Sequence, residues 1–309
     1  MEKRFTIGTD PEFFLKRKDS GKLVSAIPYI KGTKSNPESL PSGGKLQFDN
    51  VALEFATAPA IDGEDLVNKI RETFKDVLVK IPEGHELEVV PSANFDEDQL
   101  ECDEAKEFGC DPDFDAWVPK ENTPPNCTEY NFRSCGGHIH VGKVKGDGNN
   151  FIVDDWGKIR LVRTMDCFHG VISVILDNSE QAINRRKLYG KAGCHRPVRL
   201  DSEGLYDGVE YRVLSNFWMK SPELVMLIDS LTYDALKLVR EDRDEELIEA
   251  LGGSNTVQKI INEGMTDRAV VALDKHIRPL LSKDSSFYLD GCLKNIKNYN
   301  FTKEWQLEV

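Results

Sequence analysis

Gly136-Gly137-His138-Ile139-His140-Val141-Gly142 is the stretch on which the reading of this chain turns. Ile139 and Val141 alternate with His138 and His140, and a period of two is that of a β-strand with one face buried. Both imidazoles then leave the strand on the same side, and the flanking glycines let a ligand approach the backbone closely. A His-x-His pair so placed can present metal ligands; the plainer alternative is a pair of histidines satisfied in the core.

Three other segments carry polar side chains where a half-buried strand should be apolar. In Gly8-Thr9-Asp10-Pro11-Glu12-Phe13 the two acids are two residues apart, so in a strand they share a face. Two carboxylates that close repel unless a cation lies between them, and hard oxygen donors suit Mg²⁺. The alternative is a solvated edge strand, which Pro11 would tolerate. In Phe48-Asp49-Asn50-Val51-Ala52-Leu53-Glu54-Phe55, Val51, Leu53 and Phe55 share one face and Asn50 and Glu54 the other. Asp49 has the wrong parity to join Glu54 without a bulge or turn, so Glu54 ranks first. In Gly208-Val209-Glu210-Tyr211-Arg212-Val213, Glu210 and Arg212 face away from the core together. Upstream, Arg185, Arg186, Lys191, Arg196 and Arg199 fall in a glycine-bearing stretch read as a loop over 185–200. Guanidinium groups bind phosphate bidentately, and such a cluster can hold a triphosphate. Surface ion pairing is the alternative, and it suits Arg185 and Arg186 best.

Outward from these segments, short alternating runs separated by Gly, Ser and Pro fill the first third, with one helix capped by Asp62 and striped by Leu66, Ile70, Phe74 and Val77. Residues 92–134 are acidic, rich in Pro, Asn and Cys, and show no sustained period. A connection that long is more often functional than idle. A helix is expected over 155–176, and Ser221-Pro222 starts a helical last third. Strands do not alternate regularly with helices. The expected fold is α+β: a curved, mostly antiparallel sheet with helices on one side. Residues 1–220 would form the catalytic domain and residues 221–309 a helical part packed on it.

Of 309 residues, 53 are acidic and 40 basic, a formal charge of -13. That surface disfavours duplex nucleic acid and anionic membranes but leaves room for a local phosphate pocket. No run approaches the roughly 18 apolar residues of a membrane span, and no targeting segment is visible. Seven cysteines without a secretion signal point to reduced thiols in a cytoplasm. Cys102, Cys110, Cys127 and Cys135 are too widely spaced for the usual structural zinc site.

Taken in order, G-x-D-P-E-F, D-N-x-x-x-E-F, G-G-H-I-H-V-G, R-R-x-L-Y-G-K-A-G-x-x-R and G-x-E-Y-R-x-L-S-N-F-W resemble the phage-type carboxylate–amine ligases. These are amidoligases of the glutamine synthetase and glutamate–cysteine ligase superfamily, and the resemblance covers about residues 5–220. It implies a glutamine synthetase-like catalytic domain that binds ATP and two or three divalent cations, Mg²⁺ or Mn²⁺. On that likeness Asp10, Glu12, Glu54, His138 and Glu210 are metal ligands, and His140 lies nearer nucleotide or substrate. Arg212, Arg196 and Arg199 bind and stabilise phosphate. The first acid is Asp where glutamine synthetase usually has Glu, so its metal would sit differently or keep an extra water.

The implied reaction is ATP-dependent joining of a small-molecule or peptide carboxylate to an amine through an acyl phosphate. Two rivals stand beside it: a metal-dependent hydrolase built on His138 and His140, and a silent nucleotide- or metal-binding protein. The arginine cluster argues against the hydrolase, because a water-activating metal does not need several guanidinium groups.

Overall fold

The computed structural model describes residues 5–106, 113–123, 131–143, 154–198 and 207–307. Strands β1 (Phe5–Thr9), β2 (Glu12–Arg17), β3 (Leu23–Val24), β4 (Glu38–Ser39), β5 (Lys45–Asp49) and β6 (Ala52–Ala56) precede helix α1 (Gly63–Leu78). Strands β7 (His85–Glu88), β8 (Ser92–Asn94), β9 (Phe114–Asp115), β10 (Lys120–Glu121), β11 (Phe132–Ser134) and β12 (Ile139–Lys143) follow. Helices α2 (Asp155–Met165), α3 (Val171–Leu176) and α4 (Glu180–Leu188) lead to β13 (Cys194–Val198), β14 (Gly208–Tyr211) and α5 (Pro222–Arg240). The remainder is helical: α6 (Asp244–Ala250), α7 (Ser254–Asn262), α8 (Thr266–Ala272), α9 (Lys283–Asn295) and α10 (Phe301–Glu304).

The strands form two principal sheets. One runs β1-β12-β14-β13-β9-β10; the other runs β3-β2-β6-β5-β4, with β7 also on β2. Every described pairing is antiparallel. The alternating stretch from Phe5 to Arg17 is two strands, and the chain changes sheet at Asp10-Pro11. Pro11 has no N–H to give to a ladder, which makes it a natural crossing point. The sheets are stitched there by Glu12 N–H to Gly136 O (2.9 Å) and Thr57 N–H to Thr9 O (2.9 Å).

Under the sheets the expected stripes are buried. Asp62 caps α1 by accepting from Asp65 N–H at 2.9 Å, and Leu66, Ile70, Phe74 and Val77 are fully enclosed. Phe13, Phe55 and Phe74 pack ring on ring, and Trp305 closes on Phe74 at 5.1 Å, so the chain's last segment joins the same core. Ser221 caps α5, which packs against α1, α2 and α9. The 155–176 helix exists, interrupted by a π turn at Asp166–Gly170.

Two expectations fail. The stretch 185–200 is not a loop: Arg185 and Arg186 lie on α4 and Arg196 on β13. Nor are Arg185 and Arg186 surface residues; both are buried and donate to backbone carbonyls. The apolar content of α4 is low, which is why it read as loop. Among the described residues, Cys102, Cys135, Cys167, Cys194 and Cys292 are free thiols, while Cys110 and Cys127 lie outside them. No described helix is long and apolar enough to cross a membrane.

Candidate active site

Cross-strand partners share a face of a sheet, so register decides which side chains meet. In the first sheet Gly8 faces His140, His140 faces Glu210, and Glu210 faces Arg196. This row crosses four strands. Arg212, two residues past Glu210, and His138, two before His140, flank it on the same side. In the second sheet Glu12 faces Glu54, and Glu54 faces Gln47. Asp10, at the crossing between sheets, joins the two rows.

Of the five residues expected as metal ligands, Asp10 and Glu210 fall in one group and Glu12 and Glu54 in another, with His138 beside the first. Donor atoms of Asp10, His140 and Glu210 lie within 4.8 Å of one another, and so do those of Glu12, Asp49 and Glu54. Asp49 belongs to the second group because the 48–55 run is a hairpin rather than one strand. Asn50, at φ 55°, turns the chain, Asp49 pairs with Ala52, and the parity count restarts on β6. His140, expected nearer the nucleotide, is the histidine of the first group. His138 stands beside it, with Nδ1 3.3 Å from both Asp10 Oδ1 and Glu210 Oε1. Its ring fits only because residue 136 is glycine: a Cβ there would come within 2.4 Å of Nε2.

Arginine surrounds Glu210. Arg212 Nη1–H donates to Oε1, and Arg196 Nη1–H donates to Oε2 at 3.0 Å. Arg212 also lies 3.6 Å from Asp113 Oδ2 and stacks over the Tyr189 ring at 5.3 Å. On the same ring, at 5.8 Å, lies Arg185, whose Nη1–H donates to Val213 O at 2.7 Å beside the Arg212 backbone. Gly190 makes room for it: at φ 75° it adopts a conformation that suits glycine, and a Cβ would fall 2.1 Å from Arg185 Nη1. Arg199 lies outside the described residues.

The electrostatics are those of an anionic site. Burial, with help from Asp49, pushes Glu12 up to about 7. Burial and the Asp10 charge do the same to Glu210. Glu54 is driven well above the carboxylate range by burial and by Asp10, Asp49 and Glu12. Burial would raise Asp10 too, but its partners, His140 first, hold it well below its usual value. Against the pull of burial, Asp10 raises His140 to about 9, while burial and Arg212 drop His138 to about 3. Asp10 Oδ1 and His140 Nε2 are buried 3.1 Å apart, and neither makes a hydrogen bond. Buried nitrogen and oxygen donors gathered this closely, with Glu210 adding a second carboxylate, fit a divalent cation.

Beside Asp10 and His140 opens a cavity of about 680 Å³. Gly8, Gly142 and Gly208 line it together with Lys45 and Lys143.

Residues 126–280, about half of the chain, match the family described as phage phiEco32-like COOH.NH2 ligase-type 2. The chain belongs to this family. The match takes in the His138–His140 strand and the Glu210–Arg212 strand of this carboxylate–amine ligase, but not Asp10, Glu12 or Glu54. Among solved structures, the glutamate–cysteine ligase of Francisella tularensis in complex with AMP shares the fold, with a TM-score of 0.55 over 98% of this chain and 84% of that one at 10% identity. A looser likeness links it to a bifunctional glutathione synthetase from Pasteurella multocida (TM-score 0.47, 11% identity, 97% of this chain), of which it spans 53%. The ligase PafA in complex with Pup gives a TM-score of 0.44 at 13% identity, over 99% of this chain and 68% of that one. No curated protein sequence matches the chain.

Proposed function

We propose that the chain joins a carboxylate to an amine with cleavage of ATP, by way of an acyl phosphate. The observation that carries this reading is a pair of three-donor groups, the first of which has Arg196 and Arg212 on its Glu210 and has its Asp10 and His140 lining a cavity of about 680 Å³. That volume suits a nucleotide. Arg196 and Arg212 grip the phosphates, Arg212 by its planar fork. A carboxylate oxygen attacks the γ-phosphorus, the bond to the bridging oxygen breaks, and ADP leaves. The amine then attacks the acyl carbon, loses a proton, and expels phosphate. The chain's own work is to hold reactants in line and to place positive charge where negative charge gathers.

Asp10, His140 and Glu210, with His138 beside them, and Glu12, Asp49 and Glu54 would hold Mg²⁺ or Mn²⁺. The cations would offset repulsion between the triphosphate and the incoming carboxylate. The substrates are small molecules or peptides, and the reaction takes place in a cytoplasm. A hydrolase built on the histidine pair is disfavoured, because guanidinium groups crowd that pair and the family is one of ligases.

The test is a trapping experiment. With Mg²⁺, ATP and a panel of carboxylates, hydroxylamine should yield a hydroxamate and release ADP only when the right carboxylate is present. Glu210→Ala should abolish both. A protein that binds no ATP at millimolar concentration with Mg²⁺ would overturn the reading.

A further inference from the structure

Asp166 takes no part in either donor group, yet it is an acid with no exposed surface. It lies where α2 gives way to the π turn, against the face of the first sheet opposite the active site. Its two oxygens have separate donors. Tyr211 O–H donates to Oδ1 at 2.8 Å, and Trp117 Nε1–H donates to Oδ2 at 2.6 Å. An indole N–H can only donate, and a buried acceptor without a donor is costly, so the pairing is specific.

The two donors belong to different parts of the site. Tyr211 is the residue between Glu210 and Arg212, and strand alternation sends its side chain to the face opposite theirs. Trp117 lies in the turn between β9 and β10. Asp113, whose Oδ2 lies 3.6 Å from Arg212 Nε, enters that same ribbon from its N-terminal side, and Asn122 Nδ2–H donates to its Oδ1 at 2.9 Å. With one oxygen on Asn122 and the other facing Arg212, Asp113 is placed as a strut for that guanidinium. The ribbon is further fastened by Arg163 Nε–H to Ala116 O (2.9 Å) and Ala116 N–H to Gly193 O (3.0 Å).

We propose that Asp166 is a positioning residue that clamps the 113–122 ribbon to the strand of Glu210 and Arg212, so that Asp113 keeps the Arg212 guanidinium aimed across the active site. The idea rests on the phosphate role proposed for Arg212, but the clamp itself can be tested without it.

The experiment compares wild type with Asp166→Asn, Trp117→Phe and Tyr211→Phe. The two aromatic variants each remove one donor and keep the ring, so they serve if Asp166→Asn fails to fold. Amide hydrogen exchange over 113–122 should quicken several-fold in each variant while exchange in α5 stays as in wild type. In the hydroxamate assay, kcat should fall about tenfold to a hundredfold, since misplacement of about 1 Å can cost that much. KM for ATP should stay within about threefold, because an aiming defect weakens the transition state more than nucleotide binding. Unchanged exchange in the ribbon overturns the clamp, whatever the activity. Quickened exchange with kcat unchanged per folded molecule overturns the positioning role and leaves Asp166 a structural acid. If wild type itself binds no ATP, the functional reading has failed, and the exchange result still decides whether the clamp exists.

Discussion

Glu54→Gln should make the metal-free protein more stable and the metal-loaded protein less so. Glu54 lies directly opposite Glu12 and shares a donor group with Asp49, all three within 4.8 Å. Two full charges at that distance repel by about 3 kcal/mol at an effective dielectric constant of about 20. The neighbouring Glu12 is also pushed up, from 4.5 to about 7, chiefly by burial and next by Asp49. Glutamine keeps the shape and can still accept from Gln47 Nε2–H, which now donates to Glu54 at 2.8 Å. The expected gain is about 1–3 kcal/mol, or roughly 2–5 °C in Tm for a chain of this length. The sign with pH follows from carboxyls whose folded pKa is raised. For Glu12 that cost is absent below about 4.5, grows as pH rises, and is complete above about 7; Glu54, raised well above its usual value, shifts in the same direction. Thermal unfolding in EDTA at about pH 8 should therefore favour the variant, and at about pH 5 the two proteins should nearly coincide. In millimolar Mg²⁺ the order should reverse, because the cation stabilises only the protein that binds it. A variant less stable than wild type in EDTA at the higher pH, or one with an undiminished Mg²⁺ response, would refute the argument and make Glu54 an ordinary structural acid.

Arg212→Lys keeps the charge but loses the fork and the stack on Tyr189; ADP release coupled to the carboxylate should drop roughly a hundredfold with Tm little changed. His169, buried with Nε2 3.0 Å from Thr232 Oγ1, is held down to about 4 by burial. It must gain a proton when the chain unfolds in mild acid, so wild type should lose about 3 kcal/mol as pH falls from about 6.5 to 4. Urea titrations across that window should show a shallower fall for His169→Gln. Lys158 and Asp207 form a buried ion pair at 2.9 Å that anchors the entry to β14. Lys158→Met should cost about 3–5 kcal/mol by stranding Asp207, and adding Asp207→Leu should restore much of it in thermal unfolding.

What could be read before folding was whatever alternation along a single strand dictates. Glu210 with Arg212 and His138 with His140 followed from a period of two, and the structure sets each pair on one face. Asp49 was lost because parity was counted through a turn, although Asn50 is a residue that tolerates the left-handed region. With the strand break at Asp49-Asn50, the same arithmetic would have placed Asp49 beside Glu54. Asp10 and Glu12 went into separate groups for a similar reason, since Pro11 marks a change of sheet and not merely an edge. Arg185 was misjudged because α4 has little apolar periodicity to announce a helix, and what buries it is contact with a strand that comes later in the chain. Asp166 left no local signal: its partners, Trp117 and Tyr211, lie 49 and 45 residues away.

The crossing at Asp10-Pro11 bears on how the chain is made. Strands β2 to β7 of the second sheet are all contained in residues 12–88, so the Glu12, Asp49 and Glu54 group can assemble early on the ribosome from near neighbours. Strand β1 waits much longer, for its principal partner is β12, and Thr9 Oγ1–H donates to His138 O across 129 residues. Until that partner emerges, Phe5–Thr9 presents an unfilled edge, and an unfilled edge invites pairing with the wrong chain. Early contact with the Ala60 segment covers one side of it through Ile7. Completion of the Asp10, His140 and Glu210 group is therefore a late event in biogenesis, and a nascent chain truncated before residue 139 would carry the Glu12, Asp49 and Glu54 group without the other.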